Sequence, residues 1–495
     1  MTSKKDTKKK NIAPPEQQAK KVRKPKTLIE IILNVIILTG MVFWAIYFTD
    51  KKGWFSPDNT NNHTLRKWDA YYAFTKKNDV DVVMVGNSHL YAGVNPENLS
   101  CALGANCFIL AAPGTTLTDA YFCLKEAITV CKPKIAVIET YCINDYRSHE
   151  LKEGRLSDQF QSFHARKNIP QKLLSTPVLF TSDNYLPAWS HTIRNHSYIL
   201  SDREQIKKNI AAKKVKKKQE LYLGRFISFS TGMTDTTLLK YDMPGVASVA
   251  DGNNYQTGDE ARRYIDKIIT LCRENNIEPL FLTIPMYHRH IKDYDVWKAR
   301  LTEELAPYQP IEWLDLQSPY DYDAYVPACF ENSVGSNQHL TSQGSLVSAY
   351  KLAHFINDKF PGLLADRSED EQWNNLFYGE GGYFENYAPR TNDTTVNKLF
   401  GKLDLPGGLS IKEINMFPKE EYNTIHIKVE KKDGQDLRGK KLQLTADVIA
   451  EGRQVTGIIE AETTHAWNPL KHYLFITNLR KDVEILGIRS AEIKN

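Results

Sequence analysis

Asp79-Val-Asp-Val-Val-Met-Val-Gly-Asn-Ser-His-Leu-Tyr-Ala-Gly-Val-Asn-Pro96 is the stretch on which the fold turns. Val80 to Val85 is a short, β-branched, mostly apolar run, the pattern of a strand buried on both faces of a parallel sheet. Gly86 interrupts it and lets the backbone turn sharply. Ser88 follows at the carboxyl end of the strand, where open α/β sheets place reactive groups. Taken alone, Gly-Asn-Ser is also ordinary turn chemistry. The segments downstream decide between the two readings.

A loop is expected from Ser88 to about Ala105. Cys107 to Ala111 reads as a second strand, ending at the turn Pro113-Gly114-Thr115-Thr116. Leu117 to Val130 has helical spacing, with Ala120, Leu124, Ala127 and Ile128 on one side and Thr118 as its cap. Lys132-Pro133-Lys134 stops that helix, and Ile135 to Thr140 is a third strand. Strand and helix alternate, as in a parallel sheet with crossover helices. The rhythm lapses between residues 147 and 258, which read as an insertion over one edge of the sheet. This segment holds Gln159 to His164, an aromatic-rich piece from Tyr185 to Tyr198 and a lysine run from Lys207 to Lys218. Such a run is either a solvated helix face, the commoner meaning, or a surface for an anionic polymer. Alternation resumes with a helix over Asp259–Asn275, a strand over Pro279–Ile284, a helix over Asp295–Leu305, a strand over Ile311–Leu316 and a helix over Ser345–Lys359. From about Leu363 the character changes. Asn374 to Asp393 is rich in Gly, Tyr and Asn. Short alternating runs (Thr424–Val429, Lys441–Val448, Tyr473–Thr477) then predict a small antiparallel β domain.

The chain has 495 residues and a net charge of only +5, so composition gives no sign of nucleic-acid binding. Its charge is unevenly placed. Lys4, Lys5, Lys8, Lys9, Lys10, Lys20, Lys21, Arg23, Lys24 and Lys26 face only Asp6 and Glu16 in a proline-bearing head, which should be disordered. An apolar stretch follows from Leu28 to Phe48, broken near its start by Glu30 and Asn34. It is long enough to span a bilayer, with Trp44 and Tyr47 at the far interface and the basic head on the cytoplasmic side. The reading is an uncleaved single-pass anchor. A cleaved signal peptide is the alternative, opposed by the long basic lead and the lack of a small-x-small site; a buried core helix does not suit the basic flank. The expected organisation is a head at 1–26, an anchor at 27–49, a linker at 50–77, an α/β unit at 78–362 with its insertion at 147–258, and a β-rich unit at 363–495. Seven cysteines are odd in number. Cys101 and Cys107 are close enough in sequence to bridge, and buried thiols are equally compatible.

Three strand ends converge on one chemistry: Ser88 after the first, Gly114 after the second, and Asn144 just after the third. His339 lies in the loop before the last helix. Acyl transfer needs a hydroxyl to attack, an imidazole to take and return its proton, and N–H donors for the oxyanion. The Ser88 and Gly114 backbone N–H groups and the Asn144 amide are the candidate donors.

In these residues the chain resembles the SGNH (GDSL-type) hydrolase superfamily, in the form taken by membrane-anchored bacterial cell-envelope members. Gly86-Asn87-Ser88-His89 resembles the first block, Ala112-Pro113-Gly114 the glycine block, and Asn337-Gln338-His339-Leu340-Thr341-Ser342-Gln343-Gly344 the closing block. The segment Tyr264–Pro285 is also similar. The resemblance covers about 78–146 and 259–360. It implies a flavodoxin-like, three-layer parallel sheet and an acyl-Ser88 intermediate with His339 as base. It further implies an esterase or O-acyltransferase acting on acyl, above all acetyl, groups of an envelope polysaccharide, without metal or other cofactor. A membrane-bound O-acyltransferase is the implied partner in some members. The chain departs from the pattern at one place that matters. The family's acid stands three residues before the histidine, and here that position is Ser336, with Asn337 beside it. Glu331, Asp321 and Asp323 in the preceding loop are the available substitutes. Asn87 replaces the first-block Asp. A Cys142–Cys329 bond would tie the third-block loop to the loop before His339.

Two other readings stay open. A degenerate site would leave a glycan-binding or scaffolding protein, with Trp373, Phe377, Tyr378, Tyr383 and Tyr387 as stacking platforms, although aromatics in a β domain more often form core. A carboxylate at the His339 ring would favour the enzyme, and an occluded Ser88 the scaffold. His288 and His290 form a His-x-His pair that can bind zinc, but without an acidic or Cys partner at a recognisable spacing.

Overall fold

The computed structural model describes residues 27–56, 63–143, 156–212, 221–226, 250–318, 327–333 and 338–378, most of 397–494, and single residues between these. The basic head, lysines 213–218, Tyr383 and Tyr387 fall outside the described residues.

Helix α1 (Leu28–Lys52) is the apolar stretch, and none of its residues is buried. Thr27 and Glu30 form a reciprocal capping box at its start, and Gly53 ends it in the left-handed region (φ 67°). By length and composition it is one helix able to cross a membrane.

Five parallel strands form the central sheet: β1 (Val82–Val85), β2 (Cys107–Ile109), β3 (Ile135–Glu139), β4 (Glu278–Thr283) and β5 (Glu312–Asp315), in the order 2-1-3-4-5. Alternation along each strand sends side chains to two separate cores. Val83, Val85, Phe108, Ile138 and Phe281 enter one; Val82, Met84, Ile109, Val137 and Leu282 enter the other. The first core is closed by α2 (His63–Phe74), by Leu117–Val130, and by the helices Asp259–Glu274 and Tyr294–Leu305. Leu99 and Leu103 of Pro96–Leu103, with Leu352 and Ile356 of Ser342–Lys359, close the second. The molecule therefore has helices on both faces of a parallel sheet. Eight antiparallel strands between Asn397 and Lys494 form a second sheet around a core of its own.

Three local expectations are corrected. The segment after Ser88 is helical rather than a loop. Asn87 accepts a hydrogen bond from the His89 N–H (2.9 Å) and starts α3 (Ser88–Gly93). Asn95 accepts from the Asn98 N–H (3.0 Å), with Pro96 in the first turn, and starts α4 (Pro96–Leu103). The next helix, α5 (Leu117–Val130), is capped by Thr116, which accepts from the Asp119 N–H; Thr118 instead donates to Glu260. Thr341 starts the last α/β helix at Ser342, three residues earlier than expected.

All seven cysteines are thiols, so neither the Cys101–Cys107 nor the Cys142–Cys329 bridge forms. Cys101 lies in α4 with its side chain in the first core, whereas Cys107 points from β2 into the second. Cys142 donates towards the Glu139 carboxylate (3.5 Å). Trp373 and Phe377 are not stacking platforms either. Both are buried in the first core, in a helix (Glu371–Tyr378) that packs beneath the parallel sheet, where Trp373 Nε1 donates to Asn106 Oδ1 (2.8 Å).

The insertion returns along β2, where the Leu223 carbonyl accepts from the Ile109 N–H (2.9 Å). Its helices bury histidine without charging it. The His164 ring stacks on His191 (centroids 3.8 Å apart). Burial, then His191, Arg194 and Lys172, hold its pKa well below the ordinary 6.5. His63 on α2 is lowered to about 4 by burial, Lys67 and Arg66. An unfolded chain takes up these protons first, so stability is lost as pH falls below about 6.5 and, for His63, continues falling to about pH 4. Thermal melting of the solubilised full chain at pH 7.5, 6 and 5 should show a declining Tm, and His63→Gln and His164→Gln should each flatten that decline.

Candidate active site

The site is assembled at the carboxyl ends of the strands. Gly86 leaves β1 and passes so close to β3 that a Cβ on it would lie 2.5 Å from the Glu139 Cβ. Ser88 is the first residue of α3. The glycine turn lies beside it, because the Ala112 N–H donates to the Gly86 carbonyl (3.1 Å). Gly114 occupies the left-handed region (φ 58°), which favours glycine there. Beneath this turn the fully buried Lys67 donates through Nζ to the Ala111 carbonyl (2.7 Å), and burial pushes its amine well below the ordinary lysine range. Nothing in the sequence marks Lys67 as part of this support.

His339 is fixed from the other side. The residues around it pair antiparallel with Cys329–Glu331: the Glu331 N–H donates to the His339 carbonyl (2.9 Å), and the Thr341 N–H to the Cys329 carbonyl (2.8 Å). This bridge places the Glu331 carboxylate on the imidazole, with Oε2 3.2 Å from His339 Nδ1. Both side chains are largely enclosed, at 12 % and 21 % exposure. Next to His339, Gln338 is fully buried. It accepts from the Tyr287 N–H (2.7 Å) and donates to the Tyr241 hydroxyl (3.1 Å), which ties the loop to the end of β4.

The two halves meet through His89, whose ring centroid lies 5.2 Å from that of His339 and 4.8 Å from that of Tyr141. The His89–His339 contact therefore brings the start of α3, where Ser88 precedes His89, against the loop that carries His339 and Glu331, with Gly114 on the adjoining turn. Ser88 is 7 % exposed. Asn144, Ser336 and Asn337, the other expected site residues, lie outside the described residues, as do Asp321 and Asp323. Glu139 was not foreseen in sequence. It is fully buried at the end of β3 and accepts from the Tyr141 N–H (2.8 Å), shaping the turn that the Ser88 segment packs against. His288 and His290 part company: the His288 ring meets Tyr322 and the His290 ring Tyr241. Among the described residues, no group of three or more His, Cys, Asp or Glu could hold a metal ion.

Gly86 gives a direct test of this packing. Gly86→Ala should cost about 1–3 kcal/mol of stability through overpacking against Glu139. It should also displace Ser88. Denaturant melts read the first effect and serine reactivity the second.

No protein-family model and no curated protein matches the chain. Among solved structures, it is similar to a Bacteroides fragilis NCTC 9343 protein described as an acylhydrolase, at 14% identity and a TM-score of 0.27, over 58% of this chain and 94% of that one. It is also similar to a two-domain esterase active on acetylated mannans, crystallised with mannopentaose, at 9% identity and a TM-score of 0.26, over 87% and 95%. At TM-scores this low neither likeness carries an argument. The chemistry is read from the site itself.

Proposed function

We propose that the chain is a serine esterase or O-acyltransferase of the SGNH type. In this reading α1 anchors it in the membrane with the basic head cytoplasmic, and its α/β unit acts outside on acyl groups, above all acetyl, of a cell-envelope polysaccharide. The observation that carries the reading is the Glu331–His339 contact of 3.2 Å. It supplies the negative charge that Ser336 cannot. The strand order 2-1-3-4-5, shared with flavodoxin-like sheets, and the location of Ser88 at a strand end support the same assignment. A membrane-bound O-acyltransferase as acyl donor belongs to this proposal, as does the division into units at 78–362 and 363–495.

Chemistry follows from the pairing. With Nδ1–H directed at Glu331, the basic nitrogen of His339 is Nε2. As Ser88 Oγ attacks the acyl carbon, His339 takes the hydroxyl proton, and Glu331 stabilises the imidazolium. The Ser88 and Gly114 N–H groups, with the Asn144 amide, hold the oxyanion. Collapse breaks the bond to the sugar oxygen, which leaves with the proton from His339. Acyl-Ser88 is then resolved by water or by a sugar hydroxyl, with His339 again as base.

The low exposure of Ser88 favours the second reading, a degenerate site that binds or scaffolds. One experiment separates the two. A fluorophosphonate probe should label the wild-type full chain on Ser88, identified by peptide mass. A folded protein that stays unlabelled would leave the scaffold.

A further inference from the structure

The helix Ile169–Leu179 in the insertion is inside out. Its polar side faces the protein: Gln171, Lys172, Ser175 and Thr176 are buried. Gln171 Nε2 donates to the Lys125 carbonyl, Lys172 Nζ to the Arg166 carbonyl (both 3.3 Å), and Trp189 Nε1 to Thr176 Oγ1 (3.0 Å). The apolar side faces out. Leu173 and Leu174 are 60% and 64% exposed, beside an exposed Ile169, and Leu186, Ile199 and Leu200 on the next short helices are also exposed. A helix in water shows the reverse arrangement. Exposed apolar side chains repeated along one helix face, as at Ile169, Leu173 and Leu174, mark a binding face.

What covers the face follows from where it is tethered. Through Trp189, Ile169–Leu179 is joined to the short helices 185–195, and these are bonded to the end of α1. The Thr192 N–H donates to Asp50 Oδ1 (2.7 Å), the Thr192 and Thr49 hydroxyls are 2.8 Å apart, and Asn195 Nδ2 donates to the Phe55 carbonyl (2.8 Å). Asn209 Nδ2, further along, donates to the Trp54 carbonyl (3.0 Å). Trp44 and Tyr47, exposed on the last turns of α1, mark the level at which aromatic side chains sit between acyl chains and headgroups. Thr192 is thus bonded to α1 one turn beyond Tyr47, and the helix Ile169–Leu179 is joined to that anchor point through Trp189.

We propose that the helices spanning residues 169–201 lie on the bilayer surface, with Leu173, Leu174, Leu186 and their neighbours seated at the headgroup–acyl boundary of the leaflet that α1 leaves. This rests on α1 as a membrane span. It goes further by giving the insertion a lipid-binding role, a monotopic contact that fixes the height and tilt of the catalytic unit over the membrane.

The test uses the full chain in phosphatidylcholine–phosphatidylglycerol vesicles. Nitroxides are placed one at a time at Leu173→Cys, Leu174→Cys and Leu186→Cys, in a Cys131→Ser background because Cys131 is the one native thiol not fully buried. Ile36→Cys in α1 and Ile458→Cys, exposed on the antiparallel sheet, are references. Collision with oxygen several-fold above collision with a water-soluble nickel chelate is expected at 173, 174, 186 and 36, and the opposite at 458. Water-like values at 173, 174 and 186 with a lipid-like value at 36 overturn the lipid contact alone. A water-like value at 36 overturns the anchor, and the contact with it. Labels at 173, 174 and 186 shielded from both agents would mean that a second copy of the chain covers the face, which also overturns the lipid contact.

Discussion

Glu331→Gln is expected to lower kcat by about 10³–10⁴-fold with KM nearly unchanged. Glutamine keeps the size of glutamate and can still hydrogen-bond to His339 Nδ1 across the 3.2 Å contact. It brings no charge to stabilise the imidazolium, however, and its amide can donate to Nδ1 and so hold the ring in the wrong tautomer. Glu331 touches neither acyl group nor sugar in the proposed mechanism, so binding should survive. Ser88→Ala and His339→Ala should each cost more, about 10⁶-fold, because they remove the nucleophile and the base. Adding Glu331→Gln to Ser88→Ala should then change little, since the residues act as a unit. Initial rates of the full chain on an acetyl ester and on an acetylated polysaccharide measure all four. A Glu331→Gln enzyme within tenfold of wild type would mean that another group does the work of the acid.

How much of this was legible depended on whether the signal was local. The β-branched run at 80–85 and the helical spacing of Leu117–Val130 needed no tertiary information, and both elements form at those places. The helices after Ser88 were hidden because they span only Ser88–Gly93 and Pro96–Leu103. Pieces that short show no periodicity and are set by two asparagine caps. Ser88 stood out in sequence because it follows Gly86 at a strand end, and His339 because it stands before the last helix in a segment that resembles the closing block. Glu331 appeared only as one of three acids. Its selection depends on a bridge between Cys329–Glu331 and His339–Thr341 that forms in three dimensions. Cysteine spacing suggested bonds, but the Cys101 and Cys107 side chains pack into different cores. Lys67 and Glu139 act through backbone groups remote from or beside them, which residue type alone does not reveal.

The second large effect concerns how the insertion is bolted to the sheet. Asp119 on α5 and Arg166, just after the helix Leu156–Ala165, form an ion pair of 3.2 Å with side chains 1% and 0% exposed. Ser162 Oγ donates to the second carboxylate oxygen (2.5 Å). Burial pushes the Asp119 carboxyl up, against the pull of Arg166 and Ser162. Arg166 is less well served, since its Nε and Nη1 are buried without hydrogen-bond partners while its guanidinium lies near the rings of Phe122 and Phe163. Breaking the pair from either side leaves a buried charge uncompensated, so Asp119→Leu and Arg166→Met should each destabilise by about 3–5 kcal/mol. Replacing both removes the two desolvation penalties together. The double variant should recover most of that loss, because two apolar side chains of similar length can pack among Phe122, Phe163 and Cys123. Denaturant unfolding of the four proteins measures the cycle. Single variants costing less than about 1 kcal/mol would mean that water reaches the pair and screens it. A double variant as unstable as either single variant would mean that the pair is net stabilising and that the insertion depends on charge for its seat on α5, whereas additive losses would mean that the two side chains do not couple at all.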